Sequence, residues 1–343
     1  MTTGIGVIGA GRWGPHLIRN FDDHLSSDVL WVAETDDMRR KAISERFPKV
    51  AVTADLHDIL SDQRVDAVVI ATPTSTHEPI VRKALQADKH VLVEKPLAYG
   101  LDESIALCRL ADELGKVLMV GHVFLFNTAF RAAKEYIDRG ELGDVKYLSM
   151  VRTNLGPVRT DVNASWDLAS HDISIANFWL DAVPVDVTAT GGSWLNEGVH
   201  DVVFATLTYP GDVLVHIEAS WLNPRKRRLV AAVGSERMLT VDDMELNEPI
   251  RIYDKGVLDP ASESVTDTYA GFRNQIREGE VRIPHVTSGE PLRAECDEFV
   301  SRVAGSGDSL SDGWDGARIV AALDAIDRSM AEGGASTAVE PVE

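Results

Sequence analysis

The stretch Ile5-Gly6-Val7-Ile8-Gly9-Ala10-Gly11-Arg12-Trp13-Gly14-Pro15 decides how this chain is read. Ile5–Ile8 is a short apolar strand and Pro15–Phe21 begins a helix, so the three glycines occupy a strand-to-helix turn. Glycine-rich turns are common and mean little alone. Here an acidic residue, Glu34, stands 20 positions after Gly14, at the end of the next apolar strand, Val29–Ala33. That is the context a dinucleotide-binding loop requires. Gly9 suits the tight turn, Gly11 the close approach of a pyrophosphate, and Gly14 close helix–strand packing. The helix N-terminus supplies unpaired amides, with Arg12 and Trp13 in the same loop, and Pro15 loses nothing at a first-turn position. A carboxylate at Glu34 accepts ribose hydroxyls and repels a 2′-phosphate, and Thr35 stands where an NADP site would want arginine. Arg39 and Arg40 fall at helical positions expected to face solvent. NAD is therefore expected over NADP.

Working outward, apolar strands at Val65–Ala71, His90–Val93 and Val117–Val120 alternate with helices at Asp37–Phe47, Pro79–Ala87 and Leu101–Leu114. Continuous apolar strands separated by amphipathic helices indicate a parallel sheet covered on both faces. The expected fold class is α/β: a doubly wound parallel Rossmann sheet over 1–123, then an α+β domain over 124–290 with a large, mainly antiparallel open sheet. That second domain reads as helix Ala129–Arg139, strand Val145–Thr153, helix Ser170–Leu180 and strand-like segments from Val185 to Tyr253. Val213, Val215, Ile217, Ala219 and Trp221 alternate with Leu214, His216, Glu218 and Ser220, a period of two. One face of such a sheet needs cover, so self-association into a dimer or tetramer is expected. Helices at Glu290–Ala304 and Asp312–Met330, within 291–332, are expected to pack back on the first domain. Residues 333–343 read as a flexible tail.

The 343 residues carry 34 Lys and Arg against 54 Asp and Glu, a formal charge of −20. Such a field repels nucleic acid and anionic lipid. Cys108 and Cys296 cannot make a disulfide framework, no Cys/His spacing suggests zinc, and no window approaches 18 apolar residues. The N-terminus enters a strand directly, with no cationic leader. A cytoplasmic setting without a metal site is expected.

Two further motifs carry chemistry. Glu94-Lys95-Pro96 follows the strand His90–Val93, and ligands of open parallel sheets sit beyond the strands' carboxyl ends. Thr72, Pro73, Thr74 and His77 follow the neighbouring strand and would line the same crevice, while Pro96 could fix a turn, cis or otherwise, that aims Lys95 inward. The plainer reading of Lys95 is an exposed loop lysine. In Trp166-Asp167-Leu-Ala-Ser-His171-Asp172, the acid and the imidazole are four apart and share one face of a helical turn. A carboxylate so placed orients an imidazole as a general base. A surface pair or a helix cap is the plainer alternative.

Together these motifs resemble the glucose–fructose oxidoreductase / inositol dehydrogenase / MocA family over about residues 4–330, including Glu290-Pro-Leu, Glu298-Phe299 and Ser311-Asp-Gly-Trp-Asp-Gly-Ala. The resemblance implies an NAD-dependent dehydrogenase with Lys95, Asp167 and His171 catalytic, and Glu94 and Lys95 also beside the cofactor. The stretch from Arg152 through Asn154, Arg159, Asp161 and Asn163 to Trp166 resembles members acting at C3 of nucleotide-linked hexoses or hexuronates. A diphosphate needs local cations in a −20 protein, and Arg152, Arg159 and Lys226 are the candidates. Arg227 and Arg228 read as a solvated hairpin. The other readings are an inositol or free-sugar dehydrogenase, an NAD-dependent redox glycoside hydrolase, and a non-catalytic NAD-binding regulator.

Overall fold

The structure, a computed structural model, describes residues 2–156, 159, 161–257, 276–277, 279–307 and 309–342. Pro157, Val158 and Thr160, part of the stretch quoted for the nucleotide-sugar resemblance, lie outside the described residues. The chain forms two compact units. One comprises Met1–Phe126, Glu290–Asp324 and Glu340–Glu343, the other Asn127–Gly289 and Ala325–Val339.

In the first unit β1 (Thr3–Ile8), β2 (Ser27–Ala33), β3 (Ala51–Thr53), β4 (Ala67–Ile70), β5 (His90–Glu94) and β6 (Leu118–Gly121) form one parallel sheet in the order β3-β2-β1-β4-β5-β6. Helices α1 (Gly14–Asp22), α2 (Asp37–Arg46), α3 (Leu56–Ser61), α4 (His77–Gln86) and α5 (Leu101–Leu114) connect the strands. All six residues of β1 and all four of β4 are buried, which is why these strands are unbroken apolar runs. The sequence reading lacked β3 and α3. Three residues cannot display a period, and α3 is one short turn begun by the Asp55 carboxylate, which accepts from His57 N at 2.9 Å. Strand order reverses between β1 and β4, opening the crevice at their carboxyl ends.

The second unit begins with α6 (Thr128–Asp138) and β7 (Val145–Thr153). A single π-type turn, Ser165–Ala169, then leads into α7 (Ser170–Leu180). There follow β8 (Asp186–Gly192), β9 (Val202–Tyr209), β10 (Val213–Ser220), β11 (Arg227–Gly234), β12 (Met238–Asp242) and β13 (Ile250–Tyr253). A small pair of β14 (Gly256–Val257) and β15 (Ile276–Arg277) precedes β16 (Val281–Arg282). The large sheet runs β16-β13-β12-β11-β7-β10-β9-β8, antiparallel except for the parallel pair β7/β10. That pair is a crossover: the chain leaves β7 through α7 and returns by two hairpins. Val215 and Ile217 face the core, whereas Leu214, Tyr147 and Phe204 lie exposed on the opposite face. Arg227 and Arg228 belong to β11, paired with Thr153 and Arg152 of β7, and not to a solvated hairpin turn.

Helix α8 (Pro291–Val303) packs on α1, with Phe21 and Phe299 edge to face at 6.1 Å between ring centres. Helix α9 (Gly313–Ala331) groups with the first unit up to Asp324 and with the second from Ala325. The expectation of a flexible tail is corrected: Thr337–Ala338 forms β17, antiparallel to β8, with Thr337 buried. Backbone pairing at the sheet edge outweighs the small, polar composition that suggested fraying.

Candidate active site

The first unit supplies a dinucleotide cradle. Gly9 has φ +97°, and a Cβ there would stand 2.7 Å from the Ala71 carbonyl oxygen. A Cβ on Gly14 would be 2.3 Å from the Gly9 carbonyl oxygen, so the close start of α1 against β1 requires glycine. At Gly11 a Cβ would meet nothing nearer than Arg39 Nη1 at 3.7 Å, leaving the backbone approachable from that side. No side chain caps α1 at Trp13, and its amides and positive dipole end remain available to a pyrophosphate. These residues fit NAD.

The Glu34 carboxylate is buried and held by backbone amides, accepting from Ala10 N at 2.8 Å and Asp36 N at 3.0 Å. Of the two arginines expected to face solvent, Arg39 does so and Arg40 does not. Arg40 is partly covered and donates to the Glu34 carbonyl at 2.5 Å, while exposed Arg39 lies 3.9 Å from Glu34 Oε2. Thr72 and Pro73 follow β4 at the crevice, and Arg12 is exposed beside it. Thr74 and His77, expected to touch the cofactor, are buried instead. His77 holds the Pro96 carbonyl through Nδ1 at 2.7 Å and the Thr72 carbonyl through Nε2 at 3.0 Å, tying the loops after β4 and β5 together. It positions the crevice rather than lining it.

At the end of β5, Glu94 and Lys95 are partly exposed, and the Lys95–Pro96 peptide is cis. Trp13 of the glycine loop lies near enough to Glu94 to act on its carboxyl. Burial pushes Glu94 up to about 7, against the lowering influence of Lys95 and Trp13.

In the second unit the sheet register gathers three connections at one end. Thr153 at the end of β7 pairs with Ser220 and Arg227, and Val202 pairs with Ser220 and Gly192. The segment 154–164 therefore starts beside the connections 193–201 and 221–226. Its backbone is fastened there by Asn154 N to Ser220 O at 3.0 Å and Ala164 N to His200 O at 2.9 Å. Asn163 and Trp166, expected to contact substrate, are committed to the fold. Asn163 Oδ1 accepts from Ser165 Oγ at 2.6 Å and from Trp166 N at 3.2 Å. Asn163 Nδ2 and Trp166 Nε1 donate to the two oxygens of Asp327 at 2.9 and 2.7 Å.

The π-type turn carries Asp167, and His171 sits in the first turn of α7, so the shared face is that of a widened turn. Such turns are frequent at functional sites. Asp167 accepts from Trp221 Nε1 at 3.2 Å and lies 3.4 Å from Arg159 Nη1. Arg159 also grips Asp161 at 2.5 Å, holding that carboxyl below its ordinary range. His171 is partly exposed, as are Asn154 and Arg159, and Lys226 is exposed on the 221–226 connection. Among the described residues no group of three or more His, Cys, Asp or Glu is arranged to hold a metal.

Arg152 is corrected. It is 4% exposed and grips Asp172, itself 1% exposed, through Nε and Nη2 at 2.9 and 2.8 Å. A guanidinium so committed is part of the core beneath α7. Asp172→Ala would leave it buried without its carboxylate, and a loss of about 3–5 kcal/mol is expected. Urea denaturation should then show a lower midpoint with NAD affinity retained.

Trp221, Asp327 and Asp172 are the residues that sequence reasoning missed at this site. Trp221 closes the alternating run of β10 and offered a faint signal, a tryptophan at a strand end. Asp327 meets its partners across 161 and more positions, and no local spacing announces it.

Residues 3–122 match the oxidoreductase family with an NAD-binding Rossmann fold, and residues 130–240 match the GFO/IDH/MocA C-terminal domain. The chain belongs to the GFO/IDH/MocA family. It is 29% identical over 320 residues to the UDP-N-acetylglucosamine 3-dehydrogenase of Acidithiobacillus ferrooxidans, covering 92% of this chain and 94% of that one. The solved structure of that enzyme superposes with a TM-score of 0.81, over 96% and 99% of the two chains. The chain is 31% identical over 242 residues to the scyllo-inositol 2-dehydrogenase (NAD(+)) of Bacillus subtilis, covering 67% and 71%. GenD2 from gentamicin A biosynthesis, solved in complex with NAD, shares the fold at TM-score 0.83 and 24% identity over 99% and 97%. Against two uncharacterized oxidoreductases, from Bacillus subtilis and Streptococcus pneumoniae, the chain spans 66% and 59% of their length.

Proposed function

We propose that this protein transfers hydride between a sugar carbon and a nicotinamide cofactor, acting at C3 of a nucleotide-linked hexose or hexuronate. The observation that supports the reading is that Lys95 directly follows β5, at the same carboxyl-end edge of the parallel sheet as the glycine loop after β1. Bound nicotinamide supplies the hydride acceptor. The chain supplies the proton chemistry. His171 takes the hydroxyl proton, Asp167 orients the imidazole and offsets its charge, and the Lys95 ammonium stabilises the developing alkoxide. Exposed Lys226 remains the candidate diphosphate contact, because Arg152 is spent on Asp172 and Arg159 already grips Asp161 and borders Asp167. The similarity to a UDP-N-acetylglucosamine 3-dehydrogenase over nearly the whole chain supports this substrate class. Following NAD reduction with UDP-hexoses, dTDP-hexoses, hexuronates and inositols tests it. Turnover restricted to nucleotide-linked sugars is expected, and preferential oxidation of an inositol would overturn the substrate assignment.

NAD is the preferred coenzyme in this reading, because two backbone amides fix the Glu34 carboxylate where a 2′-phosphate would have to approach. Glu34→Ala removes that charge and leaves Arg39 beside Gly11. The ratio of NADP to NAD affinity should rise in calorimetry, and tighter wild-type binding of NADP would contradict the role given to Glu34.

The partner expected for the large sheet is a second copy of the chain. Exposed Tyr147 and Leu214 stand side by side, with exposed Phe204 farther along the same face, opposite the buried Val215 and Ile217. Light scattering should give a multiple of 37.5 kDa, and Leu214→Lys should shift it toward the monomer.

A further inference from the structure

Two residues expected to bind substrate, Arg159 and Asp161, are bonded to each other in the second unit. The guanidinium turns its two-nitrogen edge to the Asp161 carboxylate, Nε to Oδ1 at 2.9 Å and Nη2 to Oδ2 at 2.5 Å. That edge is the fork that would grip a phosphate or carboxylate of a ligand in the same two-point geometry. The third nitrogen, Nη1, lies 3.4 Å from Asp167 Oδ1, and Asp167 Oδ2 accepts from Trp221 Nε1 at 3.2 Å. One oxygen of Asp167 therefore meets a cation and the other a neutral donor, both from outside its own helical turn.

The segment that carries Arg159 is fixed at both ends, through Asn154 N at Ser220 and Ala164 N at His200, and Val162 beside Asp161 is buried. Arg159 holds the Asp161 carboxyl below its ordinary range, while the charge of Asp167 opposes that shift. The other charged groups near the turn are committed elsewhere. Asp172 of α7 is bonded to Arg152, and Asp327 of α9 to Asn163 and Trp166. Strand β10, which packs on the turn, directs Val215, Ile217 and Ala219 inward, and its His216 and Glu218 fall on the other face. Lys226 is exposed on the 221–226 connection. Arg159 is the cation that contacts Asp167, and Asp161 is the carboxylate that contacts Arg159.

We propose that Arg159 and Asp161 form a clamp that fixes the Asp167 carboxylate for its work on His171, with Arg159 a positioning residue and not a ligand of the substrate. The proposal rests on the reading of Asp167 and His171 as the proton-handling pair. Asp161 serves the clamp twice. It fixes the guanidinium plane so that Nη1 stays on Asp167, and it fills the fork that a diphosphate would otherwise draw away. A lone guanidinium on Asp167 would also cancel the charge that steadies an imidazolium. Two carboxylates around one cation leave a net negative charge for that purpose.

A substrate-free measurement tests the clamp: hydrogen exchange of the Trp221 indole N–H, followed by 15N NMR of labelled tryptophans in the whole protein and assigned with Trp221→Phe. Arg159→Gln and Asp161→Asn should each speed this exchange severalfold, because a loosened Asp167 releases the indole. Unchanged exchange in both variants overturns the proposal. Kinetics gives the second test, with the sugar that NAD reduction shows to be turned over. Arg159→Gln should lower kcat about tenfold at nearly constant KM, and Arg159→Lys should restore part of the loss. In an Asp167→Asn background, Arg159→Gln should cost nothing further, since no carboxylate remains to be held. A raised KM with kcat intact, or an equal loss in both backgrounds, would make Arg159 a substrate ligand and overturn the proposal. Failure of the hydride-transfer reading would appear separately, as a wild type that reduces NAD with no sugar or polyol, and the indole exchange would still decide the clamp.

Discussion

Lys95→Ala should lower the turnover of NAD reduction by roughly 10²–10³ or more while leaving NAD affinity nearly unchanged. A hydroxyl losing hydride from its carbon and a proton from its oxygen passes through a partly anionic oxygen, and a fixed cation there lowers the barrier without needing to reorganise. The lysine is well placed for that task. It follows β5 directly, and His77 ties its loop, at the Pro96 carbonyl, to the loop after β4, at the Thr72 carbonyl. The cofactor contacts assigned to the glycine loop and Glu34 lie on other elements, so binding and chemistry should separate. Steady-state kinetics decides between the alternatives. A fall in kcat and kcat/KM together marks an interaction made in the transition state, whereas a raised KM with kcat intact would reduce Lys95 to a substrate-binding residue.

What could be read from the residues beforehand follows the reach of local physics. Apart from β3 and α3, the doubly wound first half was legible because its other parallel strands are built on apolar runs and because the glycines stand between a strand and a helix, with Gly9 at positive φ and Gly14 against the Gly9 carbonyl. Leu101–Leu114 and Val145–Thr153 end where composition ends them, at Gly115 and at the Asn154-Leu-Gly-Pro stretch after Thr153. The parallel β7/β10 pairing was not legible, since short turns between neighbouring strands suggest antiparallel pairs and the crossover depends on where α7 docks. The site divides in the same way. Spacing brought Asp167 and His171 onto one turn, but it could not foresee that the turn is widened. Charge counting offered Arg152 to the substrate, yet it could not see Asp172 waiting 20 residues on in a sealed core. Trp166 and Asn163 look like ligand contacts in a motif and prove to be the anchors of the helix start, because Asp327 arrives from α9.

His171→Asn should cost about 10²–10⁴ in turnover, the ordinary worth of a positioned general base. Asparagine keeps the size and a polar tip but cannot accept the hydroxyl proton. The Asp167 carboxylate is prepared for the partner role, since Trp221 Nε1 fixes one oxygen and the Arg159 guanidinium lies 3.4 Å from the other. A carboxylate so held does not swing away, and it stabilises the imidazolium formed when the proton arrives. The substitution should therefore act on kcat with little change in NAD binding. The lost rate should partly return as the pH rises, because solvent then takes the proton that His171 no longer removes. Trp221→Phe should give a smaller loss in the same direction by loosening Asp167 alone. Turnover near the wild-type value in His171→Asn would show that the proton leaves by another route. Lys95 would then be the acid/base of the reaction, and the Asp167–His171 turn would serve only to hold the sugar.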